Sequence, residues 1–485
     1  MPLVAGIDSS TQSTKVELRD VATGEVLGTG KSPHPTTTPP LSEQDPAAWW
    51  NALVDAMGQA LSGLDHQRAT REVVAVAVAG QQHGLVVLDD AGGLLRPAKL
   101  WNDTQSAPDA DELLQRLPAS AWVQGCGSLP LAAFTISKLA WLKRNEPEVF
   151  DKIGHVMLPH DWLNFTLTGN YVTDRGDVSG TGYWSPREND YRLDLLDLVD
   201  DAREWLPLLP EVRGPWEMAG VLSEKAASQL GLLAGTPVAI GTGDNMAGAL
   251  GAGLSRGDVV ISIGTSGTVY ASSETSCADE TGAVAGFADA TGAFLPLVCT
   301  LNATLVTDSI GRLLSLNHAD LDELALSAPA GSGGLTMLPY FAGERTPNRP
   351  YATGVLQGIR TDVSREMLAR SAFEGVVCGL LDGLDALSVA GVSTRSGRLL
   401  LIGGGAQSKT YRSVLASLSG RTVTVPLETE IVSAGAALQA AVLATRSNVG
   451  EITRAWGLGS GVEVEPERSD VTAQEIRGRY ALARG

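Results

Sequence analysis

The chain has 485 residues, of which 44% are hydrophobic and 19% charged, and a formal net charge of −19. This length and apolar content fit two large packed domains or three ordinary ones, and the acidic balance argues against a nucleic-acid partner, which needs clustered Lys and Arg. The four cysteines, Cys126, Cys277, Cys299 and Cys378, lack metal-type spacing and read as isolated buried thiols in a reduced, cytoplasmic setting. MPLVAGID has no positive n-region and runs straight into a strand, so no signal peptide is expected. Gly, Pro, Asn and Thr break the uncharged stretch Ala290 to Thr307, so no membrane span is expected.

Leu3 to Ile7 is an apolar run ended by Asp8. SSTQST follows, then Lys15 to Arg19 in strict alternation, a turn at Ala22-Thr23-Gly24 and a strand from Glu25 to Thr29. This is an antiparallel meander. Asp45 and Pro46 open a helix that runs to about Leu64. Val73 to Ala79 is a buried strand ending in Gly80-Gln81-Gln82-His83-Gly84, and a further strand, Leu85 to Leu88, precedes Leu100-Trp101-Asn102-Asp103. Residues 104–235 read as mostly helical, with helices at Asp109–Leu117, Thr135–Asn145, His160–Leu167, Arg192–Asp201 and Glu224–Leu230. An insertion of this length could wall one side of a crevice. Its tryptophans read as core or inter-helix packing.

The apolar run Pro237 to Ile240 breaks at Gly241-Thr242-Gly243, and Asp244 and Asn245 lead into a small-residue helix, Met246 to Ala252. A carboxylate at such a turn is either an N-cap or a ligand-facing group at the carboxyl end of a strand. The opening pattern then restarts. Strands are expected at Asp258–Ile263 and Thr268–Ser272 around the turn Gly264-Thr265-Ser266-Gly267, then a hairpin around Gly292 and helices at Thr304–Ser315, Leu321–Ala328 and Ser364–Ala390. Leu399 to Ile402 ends in Gly403 to Ser408. Helix 409–419, strand 422–425 and the helix Val432–Ala444 close the second domain, and 446–485 form a terminal helix and tail. Strand, hydroxyl-rich turn, strand at 3–19 and again at 258–272 is an internal duplication.

No GxxxxGK[ST] or GxGxxG phosphate loop is present, nor HExxH or GxSxG. Two hydroxyl-rich turns, Asp8 to Thr14 and Gly264 to Thr268, a triple-glycine turn and two strand-end aspartates remain. Successive N–H groups in such turns make anion-binding concavities. Phosphoryl transfer needs positioning donors, a metal and a base near the attacking hydroxyl. Asp8 suits metal organisation and Asp244 suits base duty. An actin-like ATPase shares the duplicated pattern.

GIDSSTQSTK at 6–15, AGQQHG at 79–84, LWND at 100–103, GTGDNMAGALGAG at 241–253, SIGTSGT at 262–268, PYFAGERTP at 339–347 and LIGGGAQS at 401–408 resemble, in order, the FGGY carbohydrate kinase family, in particular its members that act on D-xylulose. The resemblance implies an α/β fold of two duplicated RNase H-like, actin-like ATPase domains flanking a catalytic cleft, with a helical insertion (about 104–235) in the N-terminal half. The domains expected are 1–245 for sugar, 246–445 for ATP, and a tail at 446–485. It also implies transfer of the ATP γ-phosphate to the 5-hydroxyl of D-xylulose with Mg²⁺, the halves closing around both substrates. By position, Asp244 matches the family's catalytic base and Asp8 the acidic residue near phosphates and metal. Gln82 and His83 match the sugar-contacting pair, with Asn102, Asp103 and Asn245 beside it. Ser10, Thr11, Gln12, Ser13 and Lys15 form the first phosphate turn, and Gly264, Thr265 and Ser266 match the second. Gly404, Gly405, Gln407 and Ser408 match the adenosine-side turn.

Three departures stand out. SSTQS replaces LGTS but keeps its hydroxyls. Gln82 stands where many members acting on xylulose have Met, which leaves open a different ketose or polyol such as ribulose, gluconate or glycerol. Gln105 stands where many have Arg, so a substrate-side cation is expected to be missing. The expected partners are a small-molecule sugar and ATP, with no nucleic acid and no membrane, and with homodimer formation left open. A non-enzymatic ATP-binding switch fits the sugar-side residues poorly.

Overall fold

The computed structural model describes residues 2–64 and 72–485, which cluster into two compact units. The first holds residues 1–254, 286–295 and 430–459, and the second holds 255–285, 296–429 and 460–485.

The first unit is built on a mixed sheet. Its strands are β1 (Leu3–Ser9), β2 (Ser13–Asp20), β3 (Val26–Pro33), β4 (Val73–Gly80), β5 (Met218–Val221) and β6 (Pro237–Ala239), in the order β5-β6-β4-β1-β2-β3. β1, β2 and β3 form the expected antiparallel meander, and β4 lies parallel to β1 because the helix Pro46–Ser62 carries the chain across. β1 and β4 are buried along almost their whole length, as strands covered on both faces must be. Helix Pro46–Ser62 covers one face with Trp49, Leu53 and Met57. The helix Ile431–Thr445 covers the other. A Cβ at Gly6 would collide with the Ser433 carbonyl, so only glycine at this point of β1 admits the helix. Residues 430–459 thus pack with the first unit although they follow the second along the chain. The small residues Ser433, Ala434, Gly435 and Ala437 select the tightly approached face of β1 and of the helix Asp244–Gly251.

The second unit repeats the topology with β7 (Val259–Ile263), β8 (Gly267–Ala271), β9 (Phe294–Thr300), β10 (Leu399–Ile402), β11 (Val423–Pro426) and β12 (Gly461–Val464), in the order β9-β8-β7-β10-β11-β12. Along these six strands each sheet runs through two antiparallel pairings, two parallel ones and an antiparallel edge. The duplication read from the sequence is present in the strand order. The two antiparallel edges arise differently: β5 precedes its partner in the chain, and β12 follows its own. The 25-residue helix Arg365–Val389, capped by Ser364, spans the core of this unit, burying its own Phe373 and Leu380 and setting Phe373 against Tyr411.

Helices Thr135–Asn145, Glu224–Leu230 and Lys409–Ser419 lie where the periodicity puts them. Residues 104–235 also contain short strand pairs, Val172–Asp174 with Glu211–Arg213 and Trp184–Ser185 with Asp190–Tyr191. The helix expected at 192–201 shrinks to Leu193–Leu196, because Asp197, Asp200 and Asp201 would oppose the dipole at its C-terminal end. The tail carries β12 between the helices Val449–Ala455 and Ala473–Arg484. The four cysteines are free. No helix among the described residues is long and apolar enough to cross a membrane.

Candidate functional site

In the first unit three parallel segments end at one level. Asp8 pairs with Ala79 and Ser9 with Gly80 across β1 and β4, while Thr242 and Gly243 pair with Ala79 and Gly80 on the other side. The carboxyl ends of adjacent parallel strands thus bring Asp8, Gln82 and Asp244 together, the arrangement that makes ligand crevices in open α/β sheets.

Asp244 is the first residue of the helix Asp244–Gly251, and Gly243 is its N-cap. The N-cap reading of Asp244 is therefore wrong, which frees its carboxylate for other duty. Oδ1 accepts from the Asn245 backbone N at 2.8 Å and from Asn245 Nδ2 at 3.1 Å. Asn245 Nδ2 also donates to Gln82 Oε1 at 2.9 Å. A Cβ at Gly243 would lie 2.7 Å from Gln82 Cγ, so glycine is what lets the amide approach the turn. Desolvation, and then the negative charge of Asp8, push the Asp244 carboxyl up to about 7. Burial pushes Asp8 up to about 6 against the opposing pull of the Ser10 hydroxyl and Lys15. The Ser10 hydroxyl donates to Asp8 Oδ1.

The turn after Asp8 is framed from outside. Trp101 Nε1 donates to Thr11 Oγ1 at 2.8 Å, and Gln44 Nε2 donates to the Thr11 carbonyl at 3.1 Å. Lys15 Nζ lies 2.6 Å from Glu430 and 3.9 Å from Asp8, so this cation is shared between two carboxylates. His83 has a left-handed backbone, φ 65°. Its Nδ1 is 2.8 Å from the Gly180 carbonyl, and its ring lies against Phe134 and Phe287. Gln82 Nε2 and Asn102 Oδ1 are buried without a hydrogen-bond partner.

Asp103 and Gln105 face inward. Asp103 Oδ2 accepts from Ser42 N at 2.9 Å and Lys99 Nζ at 3.2 Å, and its Oδ1 accepts from Gln105 N at 3.0 Å. Buried Lys99 also donates to Glu43 at 2.9 Å and to Gln105 Oε1 at 2.7 Å, and lies 3.8 Å from the Trp141 ring centroid. Gln105 thus supplies an acceptor to an interior ammonium. Lys138, nearby and buried, is already pushed down to about 7 by desolvation, with Lys99 adding to the effect, so a further cation at 105 would be costly.

In the second unit the parallel strands β7 and β10 end side by side, Ser262 opposite Ile402. The turn Gly264–Ser266 follows β7, with exposed Thr265 and Ser266 side chains. Ala303 N and Thr304 N donate to the carbonyls of Thr265 and Gly264 at 3.1 and 2.9 Å. Gly404–Gln407 forms a single 3₁₀ turn after β10. Ser408 caps the helix Lys409–Ser419, and its hydroxyl donates to Asp322, which also accepts from the backbone N of Lys409 and Thr410. That helix N-terminus is already met by a protein carboxylate, whereas Gly404 and Gln407 remain exposed.

Sequence reasoning passed over a latch beside the turn Gly264–Ser266. Glu344 accepts from Leu301 N and Arg345 N, each at 2.8 Å, and from Asn302 Nδ2 at 3.0 Å. It ties the loop 339–347 to the segment that holds Gly264 and Thr265. The charged pair inside PYFAGERTP is the signal that could have found it.

The pattern of the FGGY family of carbohydrate kinases, N-terminal domain, matches residues 3–251, and that of its C-terminal domain matches 259–444. The chain is 45% identical over 481 residues to the xylulose kinase of Streptomyces coelicolor, covering 98% of this chain and 95% of that one. It is 36% identical over 426 residues to the xylulose kinase of Escherichia coli, covering 86% and 84%. The crystal structure of xylulose kinase from Bifidobacterium adolescentis superposes with a TM-score of 0.86 at 40% identity, covering 100% of this chain and 99% of that one. A glycerol kinase structure from Plasmodium falciparum shares the fold at 18% identity, with a TM-score of 0.89 over 100% and 97% of the two chains.

Proposed function

We propose, for a chain that belongs to the FGGY family of carbohydrate kinases, that its sugar is D-xylulose, phosphorylated by ATP on the 5-hydroxyl with Asp244 as general base. The observation that carries this reading is the Asp244 carboxylate, raised to about 7 and held by Asn245 next to Gln82 at the ends of three parallel strands. A base tuned near the working pH both exists deprotonated and accepts a proton readily.

Asp244 takes the proton of the attacking hydroxyl as the bond to phosphorus forms. Gln82, His83 and Asn102 orient the sugar through their amide and imidazole groups. Ser10, Thr11, Gln12, Ser13 and Lys15 are the donors for phosphate, as are Gly264, Thr265 and Ser266 in the second unit; Gly404, Gly405, Gln407 and Ser408 are the adenosine-side turn, its serine acting through the cap it forms. Asp103 supports the sugar side from within. The buried Asp8 carboxylate among serine and threonine hydroxyls is an all-oxygen donor set of the kind Mg²⁺ takes. When bound there with nucleotide, Mg²⁺ would neutralise phosphate charge.

The test is ADP release across D-xylulose, D-ribulose, L-ribulose, glycerol and gluconate, with wild type and Asp244→Ala. The expected result is a preference for D-xylulose and turnover reduced by roughly a hundred- to ten-thousandfold in the variant. Near-normal turnover in a folded variant would remove Asp244 from the role. A preference for another acceptor would replace the sugar.

A further inference from the structure

Beneath Gln82 and Asp244 the first unit buries four ionisable side chains that phosphoryl transfer does not use. His160 and Asp161 lie in the first turn of the helix Pro159–Thr168, Asp174 ends the strand Val172–Asp174, and Asp177 lies in the short helix Arg175–Val178. None is more than 1% exposed. Asp174 is satisfied: it accepts from Thr242 Oγ1 at 2.7 Å, Gly176 N at 2.7 Å and Asp177 N at 3.1 Å. Asp161 Oδ2 accepts from Leu158 N at 2.8 Å, but Asp161 Oδ1 and both oxygens of Asp177 have no hydrogen-bond partner. The Gln82 amide lies close enough to favour the ionised Asp177 carboxylate, without a well-formed hydrogen bond to it.

His160 faces these carboxylates. Its Nε2 is 2.7 Å from the Ile240 carbonyl, an acceptor, so Nε2 carries the hydrogen and Nδ1 faces the carboxylates. Nδ1 lies 3.3 Å from Asp161 Oδ1 and 3.7 Å from Asp177 Oδ2. A proton on Nδ1 serves one oxygen and leaves two buried carboxylate oxygens unmet, at a cost of a few kcal/mol or more. A single cation serves all three residues. Tetrahedral ligands about 2.1 Å from a zinc-type ion stand about 3.4 Å apart, close to the two separations observed, and the three ligand atoms lie within 4.8 Å of one another. A histidine whose second nitrogen donates to a backbone carbonyl is the usual support of a metal-bound imidazole.

We propose that His160 Nδ1, Asp161 Oδ1 and Asp177 bind a zinc-type divalent cation at a structural site separate from the nucleotide's Mg²⁺. The ion ties the helix Pro159–Thr168 to the helix Arg175–Val178. The imidazole bonded to Ile240 and the Asp174 carboxylate bonded to Thr242 then brace both sides of the turn that presents Asp244.

The test uses the full chain without ATP or Mg²⁺, and its readouts do not depend on which sugar is phosphorylated. After chelator dialysis and reconstitution with Zn²⁺, elemental analysis should find one equivalent per chain, with a raised Tm. Co²⁺ should give the visible d–d absorption of a four-coordinate site. Asp177→Asn, and independently His160→Gln in case the first fails to fold, should lose at least about tenfold in metal affinity and abolish the Tm response. A folded wild type that takes up neither Zn²⁺ nor Co²⁺ overturns the site and leaves the cluster held by protons. Metal uptake undiminished in a folded variant overturns it equally, by placing the ion elsewhere.

Discussion

Replacing Asp244 by Asn separates the electrostatic cost of the base from its chemistry. Asn keeps an Oδ1 for the two Asn245 donors and removes the charge that desolvation and Asp8 disfavour. Folding raises the affinity of this carboxyl for its proton, so the folded state binds a proton that the unfolded chain releases between about pH 4 and 7. Stability is therefore lost as the pH rises through that window, and the loss is complete above about 7. A carboxyl moved from 3.8 to about 7 corresponds to roughly 4 kcal/mol. Asp244 is partly exposed, so solvent screening discounts that figure, and roughly 2 kcal/mol is the expected gain for Asp244→Asn at about pH 8. At about pH 4 wild-type Asp244 is itself largely neutral and the gain should vanish. The assay is thermal unfolding at both pH values without ligands, with ADP release alongside. The expected Tm rise at the higher pH is about 2–6 °C, and turnover should fall by roughly a hundredfold or more. An equal Tm change at both pH values, or a loss of stability at the higher one, would refute the assignment of a desolvated carboxylate beside Asp8.

Three further outcomes follow from the same geometry. In wild type, kcat/KM for the sugar should fall as the pH drops below about 7, following protonation of Asp244, and this limb should be absent from the residual activity of Asp244→Asn. Gln82→Met removes the acceptor of Asn245 Nδ2; one hydrogen bond of about 1 kcal/mol predicts roughly a fivefold change in KM for the sugar with KM for ATP unmoved, as steady-state kinetics in both substrates would read. Glu344→Gln leaves a backbone or amide donor of the loop latch without its charged acceptor. It should cost roughly 1–3 kcal/mol of stability in chemical denaturation and raise KM for ATP more than KM for the sugar.

Local pattern carried much of this molecule. Alternation at Lys15 to Arg19, the β-branched run at 73–79 and the repeat at 258–272 specify strands and turns within a few residues, because strand burial and turn chemistry are written locally. Asp8, Gln82 and Asp244 could be singled out because polar residues at the ends of apolar strands have few structural reasons to be there. Pairing register placed them at one level, through Ala79 and Gly80, which no local signal encodes. Tertiary structure alone turned Gln105 from a missing substrate cation into the acceptor of buried Lys99, and gave the helix Ile431–Thr445 to the sheet that contains Gly6. It also gathered His160, Asp161 and Asp177 into one buried cluster. Each of these depends on which distant chain segment supplies the partner for a buried charge or a small side chain. Side-chain type alone shows that such a group needs a partner, and only the packed chain decides which one it meets.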